Sequence, residues 1–279
     1  MAHTITSMAL FCDFENIALG VRDAKYAKFD IDRVLERLLL KGSIVVKKAY
    51  CDWERYREFK APMHEASFEM IEIPHVRMSG KNSADIRMVV DALDLCYTKE
   101  HVDTFVIISG DSDFSPLVSK LRENNKFVIG VGVKSSTSDL LIANCDEFIY
   151  YDYLVRQDER KKQQRTRRKP AKPAAEASKE AQPQTEKKEK TEEDRKQEAF
   201  DLLFDTIDAL AEERDQDEKI WGSMVKQALK RRNPGFNESF YGYRSFNALL
   251  EDAQREGLMG LERDDKSGGY RVRLLVPED

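Results

Sequence analysis

The sequence predicts an α/β fold, a mostly parallel sheet with helices on both faces, followed by a small winged-helix domain. Three observations carry that prediction. Short apolar runs alternate with helix-spaced amphipathic runs as far as Tyr151. The segment 156–197 contains no Val, Ile, Leu, Met, Phe, Tyr, Trp, Cys or Gly. Beyond it, three helical patterns precede two short strand-like runs, the order of a winged helix.

Met8–Cys12 is short and apolar and reads as the first strand. Asp30-Ile-Asp-Arg-Val-Leu-Glu-Arg-Leu-Leu-Leu has helical spacing and stops at Gly42. Ser43–Tyr50 is the next strand, a charged helix covers Glu54–Ser67, and Met70–Val76 is strand-like. An amphipathic helix over Ala84–Tyr97 leads to Thr104-Phe-Val-Ile-Ile-Ser, whose apolar run predicts a strand buried on both faces. A helix near Phe114–Asn124, a strand Phe127–Val133, a short helix Ser138–Asn144 and a strand Glu147–Tyr151 complete a first domain, residues 1–155. In such a sheet ligands sit beyond the carboxyl ends of the strands.

Residues 156–197 have no apolar surface to offset ordering entropy and are expected to form a disordered or partly helical linker. Charge is distributed unevenly: residues 1–155 carry 19 basic and 24 acidic side chains, 156–197 carry 15 and 9, and 198–279 carry 12 and 18. The net charge of −5 excludes a uniformly basic nucleic-acid coat. It leaves the run Arg160–Lys172 as either a solvated spacer or an arm that binds phosphates through counterion release. In the last domain, 198–279, the helical patterns are Glu198–Glu212, Ile220–Arg232 and Ser245–Glu256. The strand-like runs are Leu258–Glu262 and Tyr270–Leu275, with a turn at Asp264-Asp-Lys-Ser-Gly-Gly.

Cys12, Cys51, Cys96 and Cys145 are far apart, form no CxxC pair and have no His at zinc-finger spacing, so they are expected to be reduced thiols of a cytoplasmic protein. The amino terminus lacks a signal-peptide pattern, and no run approaches ~18 apolar residues. No membrane partner is expected.

Asp13 directly follows the first strand, Asp111 and Asp113 follow the strand Thr104–Ser109, and Asp85 opens the helix Ala84–Tyr97. If the first and fourth strands are neighbours, these carboxylates converge on one sheet edge. Several carboxylates share a small site in ionised form only if a cation compensates them. Clustered oxygen ligands suit Mg²⁺ or Mn²⁺. The alternative at each position is ordinary local structure, since an Asp after a strand is commonly a helix cap or turn residue.

These motifs, Phe11-Cys-Asp-Phe-Glu-Asn, Lys81-Asn-Ser-Ala-Asp-Ile-Arg-Met-Val-Val-Asp and Ser109-Gly-Asp-Ser-Asp-Phe, give residues 8–152 a resemblance to the NYN domain, a branch of the PIN-like nuclease superfamily, and to its LabA-like bacterial group. The resemblance implies a ribonuclease whose catalytic metal, Mg²⁺ or Mn²⁺, is held by Asp13, Asp85, Asp111 and Asp113. It further implies that Asn16, Asp91 and Ser109 support them. Residues 198–276 resemble the LOTUS (OST-HTH) winged helix on Pro234-Gly-Phe-Asn-Glu-Ser-Phe-Tyr-Gly-Tyr-Arg-Ser-Phe-Asn-Ala-Leu-Leu and the strand starts at Gly257 and Gly269. That module binds RNA or a partner protein. Here Phe236, Tyr243, Phe246, Leu249 and Leu250 are expected in its core.

The remaining signals are weaker. Gly130-Val-Gly-Val lacks the third glycine of a dinucleotide fingerprint, and His3, His64, His75 and His101 pair with no nucleophile. Lys134, Ser135, Ser136 and Thr137 lie at the same edge as the acids, either holding substrate phosphate or forming a polar loop. The chain is expected to be a metal-dependent ribonuclease acting on RNA. A non-catalytic RNA-binding or regulatory protein on the same fold is the alternative, and a haloacid-dehalogenase-like phosphatase is disfavoured because Asp13 is followed by Phe14 and Glu15.

Overall fold

The structure is a computed structural model describing residues 6–73, 83–168, 192–213, 219–264 and 269–274, without the side chains of 160–168, 192 and 274. The chain divides into two compact units, Met1–Thr166 and Arg167–Asp279.

In the first unit, strands Ser7–Asp13 (β1), Ser43–Cys51 (β2), Glu69–Glu72 (β3), Thr104–Ile108 (β4), Phe127–Gly132 (β5) and Glu147–Tyr150 (β6) form one sheet in the order β3-β2-β1-β4-β5-β6. Every neighbouring pair is parallel. The expected strand Met70–Val76 is therefore strand to Glu72, and residues 74–82 lie outside the described residues.

The helices of this unit are Phe14–Asp23 (α1), Ile31–Lys41 (α2), Arg57–Glu65 (α3), Ser83–Thr98 (α4), Ser115–Glu123 (α5), Asp139–Asn144 (α6) and Tyr151–Arg168 (α7). α2 begins at the expected signal, with Asp30 accepting from the Asp32 amide at 3.1 Å, and ends at Gly42.

Alternation along β1 divides the core. Met8, Leu10 and Cys12 face residues of α1, α2, α3 and α7, whereas Ala9 and Phe11 face α4, α5 and α6. Covered on both faces, β1 and β4 are apolar almost throughout, as a central parallel strand requires. Gly130 of β5 permits the closest approach, because a Cβ there would lie 2.3 Å from the Phe148 ring.

Two helices depart from the periodicity. α1 follows β1 with no intervening loop, so no turn signal marks it, and it carries Gly20 among its buried residues Phe14, Ile17 and Val21. α7 starts directly after β6 and runs through the front of the basic segment. Glu, Lys, Arg and Gln are strong helix formers, so low hydrophobicity there does not prevent a helix.

The second unit contains helices Glu192–Glu213 (α8), Gly222–Arg232 (α9) and Phe246–Arg255 (α10), and strands Ile220–Trp221 (β7), Met259–Arg263 (β8) and Tyr270–Leu274 (β9). The strands form an antiparallel sheet ordered β7-β9-β8. Ile220 and Trp221 were expected to open a helix; they pair instead with Val272 and Arg271. Phe236, Phe246, Leu249 and Leu250 are buried, while Tyr243 is half-buried with its hydroxyl donating to Asp252 at 2.9 Å. The turn residues 265–268 lie outside the described residues.

Phe14 joins β1 to the core: its ring lies 5.0 Å from Trp53, 5.0 Å from Phe59, 5.6 Å from Tyr56 and 5.9 Å from Phe29. We expect Phe14→Ala to destabilise the first unit by about 3–5 kcal/mol. Urea unfolding read by Trp53 fluorescence in a Trp221→Phe background checks this, and an unchanged midpoint would show that the aromatic cluster is not a keystone.

Candidate active site

Strand order reverses between β1 and β4. After β1 the chain turns into α1 on one face of the sheet, and after β4 into α5 on the other. The two connections diverge and leave a crevice at the carboxyl ends of these strands, the usual ligand position in a doubly wound sheet. Asp13 ends β1, Ser109, Gly110 and Asp111 follow β4, and Asp85 lies in the first turn of α4, which packs across β1 and β2.

Direct hydrogen bonds tie the two strand ends together. The Ser109 hydroxyl donates to Asp13 Oδ2 at 2.9 Å and accepts from the Asp111 amide at 3.2 Å. Asn16 Oδ1 accepts from the Gly110 amide at 2.8 Å. Asp13 Oδ1 meanwhile caps α1 by accepting from the Asn16 amide at 3.4 Å. Asp111 likewise caps the 3₁₀ turn Ser112–Phe114, accepting from the Asp113 amide at 3.0 Å. Capping and site-building are thus the same arrangement: each cap fixes the direction of a carboxylate and leaves further lone pairs free for a ligand. Gly110 is required for close approach, since a Cβ there would lie 2.6 Å from the Ser136 carbonyl oxygen.

Asp13 is the most enclosed of the four acids, Asp85 and Asp111 are half-buried, and Asp113 is exposed. Burial pushes the Asp13 carboxyl up to about 7, with the Asp85 charge adding to it and the bonds from Ser109 and Asn16 opposing it. Burial also raises Asp85, followed by the charges of Asp111, Asp113 and Glu15. The acids therefore feel one another across the crevice, and a cation there would relieve both the burial cost and the repulsion. Among the described residues no group of three or more His, Cys, Asp or Glu side chains is drawn together into a metal-holding set. The donor chemistry nevertheless suits a hard divalent ion that keeps several waters and takes only one or two carboxylates directly.

Asp91 does not join this group. It lies about 9 Å further along α4 at the helical rise, and its carboxylate accepts from Tyr50 at 2.9 Å, Arg87 at 2.9 Å and Lys48 at 3.4 Å. Burial pushes its carboxyl up, but these partners outweigh that and hold it below the usual carboxylate range. Lys134, Ser135 and Ser136 are exposed on the loop after β5, which packs against the end of β4, where the Ser138 amide donates to the Gly110 carbonyl at 2.9 Å, and against α1, where a Cβ at Gly20 would meet Ser136 Oγ at 2.4 Å. The Lys134 amide donates to Asp152 at 2.7 Å, and the Thr137 hydroxyl to the Val133 carbonyl at 2.7 Å.

Two residues that the sequence analysis did not assign to the site lie on the β2 side of it. Glu15, in the first turn of α1, acts on Asp85 and pairs with Arg55 of the turn after β2 at 3.3 Å. Glu15 lies inside the first motif and was visible there; Arg55 is brought close only by the parallel pairing of β1 with β2. In the second unit a cleft of about 610 Å³ is lined by residues including Trp221, Ser223, Lys226, Phe246 and Tyr270. All four cysteines are free, and among the described residues no helix is long and apolar enough to cross a membrane.

Residues 7–152 match the family model of the NYN domain. An uncharacterized protein of Methanocaldococcus jannaschii is 26% identical over 145 residues, which are 52% of this chain and 57% of that protein. The meiosis regulator and mRNA stability factor 1 of Xenopus tropicalis is 24% identical over 155 residues, 56% of this chain and 9% of that protein. The matches therefore span little more than half of one curated relative and a small part of the other. A crystal structure of a Vibrio parahaemolyticus protein of unknown function aligns with a TM-score of 0.48 and 27% identity, covering 55% of this chain and 98% of that one. With the match covering more than half of its residues and all six strands of the parallel sheet, this chain belongs to the NYN domain family.

Proposed function

We propose that the first unit is a metal-dependent ribonuclease of the PIN-like type that hydrolyses RNA phosphodiester bonds at the β1–β4 crevice. What supports this reading most is that Asp13, Asp85, Asp111 and Asp113, from three separate chain segments, stand at the strand-order reversal near enough for their charges to act on one another. Asp13, Asp85, Asp111 and Asp113 would hold Mg²⁺ or Mn²⁺. Such an ion, when bound, activates water and neutralises charge on the leaving oxygen.

The chain's own residues do the positioning. Ser109 and Asn16 fix the orientation of Asp13 and of the Gly110–Asp111 backbone, which holds these two strand ends in place for the site. Asp113, at the rim, is the acid most accessible to substrate and water. Lys134, Ser135 and Ser136 line the approach and are assigned to backbone contacts with the substrate. We assign Asp91 to holding α4 against β2 through Tyr50 and Lys48.

The LabA-like grouping, the cytoplasmic location, the linker role of 156–197 and the LOTUS reading of 198–279 belong to the same proposal. Three helices with an antiparallel three-stranded sheet support the last of these. The C-terminal module would bind RNA or a protein partner. An RNA regulator without turnover is the second reading, favoured by the similarity to the protein named meiosis regulator and mRNA stability factor 1.

Cleavage assays with Mn²⁺, Mg²⁺ and chelator decide between the readings. Asp111→Asn and Asp113→Asn are expected to abolish cleavage of single-stranded RNA while circular dichroism stays unchanged. Full activity in the double variant would remove the acids from the chemistry.

Stability gives a second test. Because the Asp13 carboxyl is raised to about 7 in the folded chain, the native state binds the extra proton, and metal-free stability falls as pH rises from about 4 through about 7. The full cost is on the order of 4 kcal/mol and persists above that range. In chelator at pH 8, Asp13→Asn should therefore melt higher than wild type, and Mn²⁺ should raise the wild-type melting temperature more than the variant's. An equal metal shift in both would place the ion elsewhere.

The basic run gives a third. Replacing Arg165, Arg167, Arg168 and Lys169 by Gln should weaken unrelated RNAs about equally and flatten the salt dependence by up to ~0.7 per lost contact. An unchanged slope in fluorescence anisotropy would make the run a spacer.

A further inference from the structure

An RNA strand approaching the crevice meets a first domain with more acids than bases and an edge lined by four carboxylates. Beside the ion proposed for the acids and Lys134 on the β5 side, a cation on the β2 side would further offset the repulsion between these charges and the phosphates. Among the basic side chains near the ends of β1 and β2, Arg57 and Lys60 both pair with Glu54 within their own turn and helix, and Arg22 pairs with its neighbour Asp23. Arg55 differs, because its guanidinium reaches across to Glu15, two residues beyond Asp13.

The position of Arg55 is built into the fold. Asp13 and Tyr50 are register partners, so the turn after β2 lies alongside the turn from β1 into α1. That turn is anchored on both sides of Arg55: Trp53 and Tyr56 pack their rings against Phe14, and the Arg55 amide donates to the Asp52 carbonyl at 3.1 Å. The side chain itself is 51% exposed.

We propose that Arg55 forms a phosphate subsite on the β2 side of the crevice, taking a backbone phosphate of the bound RNA next to the one at the acids, with Glu15 parking the guanidinium until phosphate displaces it. This rests on the reading of the crevice as an RNA site. Exposed ion pairs contribute little, so exchanging Glu15 for phosphate costs little. The forked guanidinium accommodates two phosphate oxygens at once, which a lysine does not. Glu15 has a second effect, adding negative charge beside Asp85. It therefore opposes RNA twice, once by occupying Arg55 and once by repulsion.

The test is fluorescence anisotropy of the full chain with a short single-stranded RNA, in chelator so that no cleavage occurs, across a salt series. Arg55→Gln should weaken binding about tenfold and flatten the log–log salt slope by about 0.7. Arg55→Lys should keep the slope and recover part of the affinity. Glu15→Gln should tighten binding up to about fivefold, opposite in sign to the loss expected if the pair were only structural. Equal affinity and slope in wild type and Arg55→Gln, with equal melting temperatures, would overturn the subsite and leave the RNA reading standing. A wild type that binds no RNA would overturn both. RNA binding that responds to Arg55, without cleavage in Mn²⁺, would support the subsite and remove only the nuclease activity.

Discussion

The pairing of β1 with β4 at the centre of the sheet is the constraint on which the rest of this domain depends. Both strands are buried on both faces, so neither tolerates a charge along its length. The first polar residues after them must appear together at the carboxyl edge, where their connections part to opposite faces. The site is therefore a consequence of the core: Cys12 and Phe14, on either side of Asp13, are fully buried, and the acid has little freedom to be elsewhere.

Placing carboxylates there is costly, and the local structure limits the cost. Asp13 and Asp111 each cap a helical turn, and Asp85 sits in the first turn of a helix, where unpaired amides favour negative charge. Ser109 serves two chains of contact at once, donating to Asp13 while accepting from Asp111. What remains uncompensated is the mutual repulsion of the acids and the burial of Asp13. That residual strain is what a cation would relieve, and an ion bound there would link the stability of the fold to the occupancy of the site.

The aromatic cluster on Phe14 links these two levels. It fixes the start of α1, and with it Asp13, Glu15 and Asn16, and it anchors the turn that carries Arg55. The start of α1 with Asp13 and Glu15, and the turn that carries Arg55, are thus held by one hydrophobic contact set. On the opposite side, Gly20 and Gly110 let the loop after β5 close in without side-chain obstruction.

Much of this was legible in the residues. The unbroken apolar runs Met8–Cys12 and Thr104–Ile108 determined two-faced burial, and the spacing of Asp30 to Gly42 determined α2 and its ends, because burial and capping are local properties of a chain. Asp13, Asp85, Asp111 and Asp113 stood out as acids at element ends for the same reason. The loopless start of α1 and the pairing of Ile220–Trp221 with β9 were not legible, since neither carries a turn signal and both depend on partners distant in sequence. Asp91 and Arg55 show the limit most clearly. Helical spacing could not say that Tyr50 and Lys48 would hold Asp91 away from the other acids, nor could the turn after β2 say that Arg55 would reach Glu15. Those choices were made only when parallel pairing set β2 beside β1, because sequence fixes which charges a chain carries, whereas the sheet register decides which of them meet.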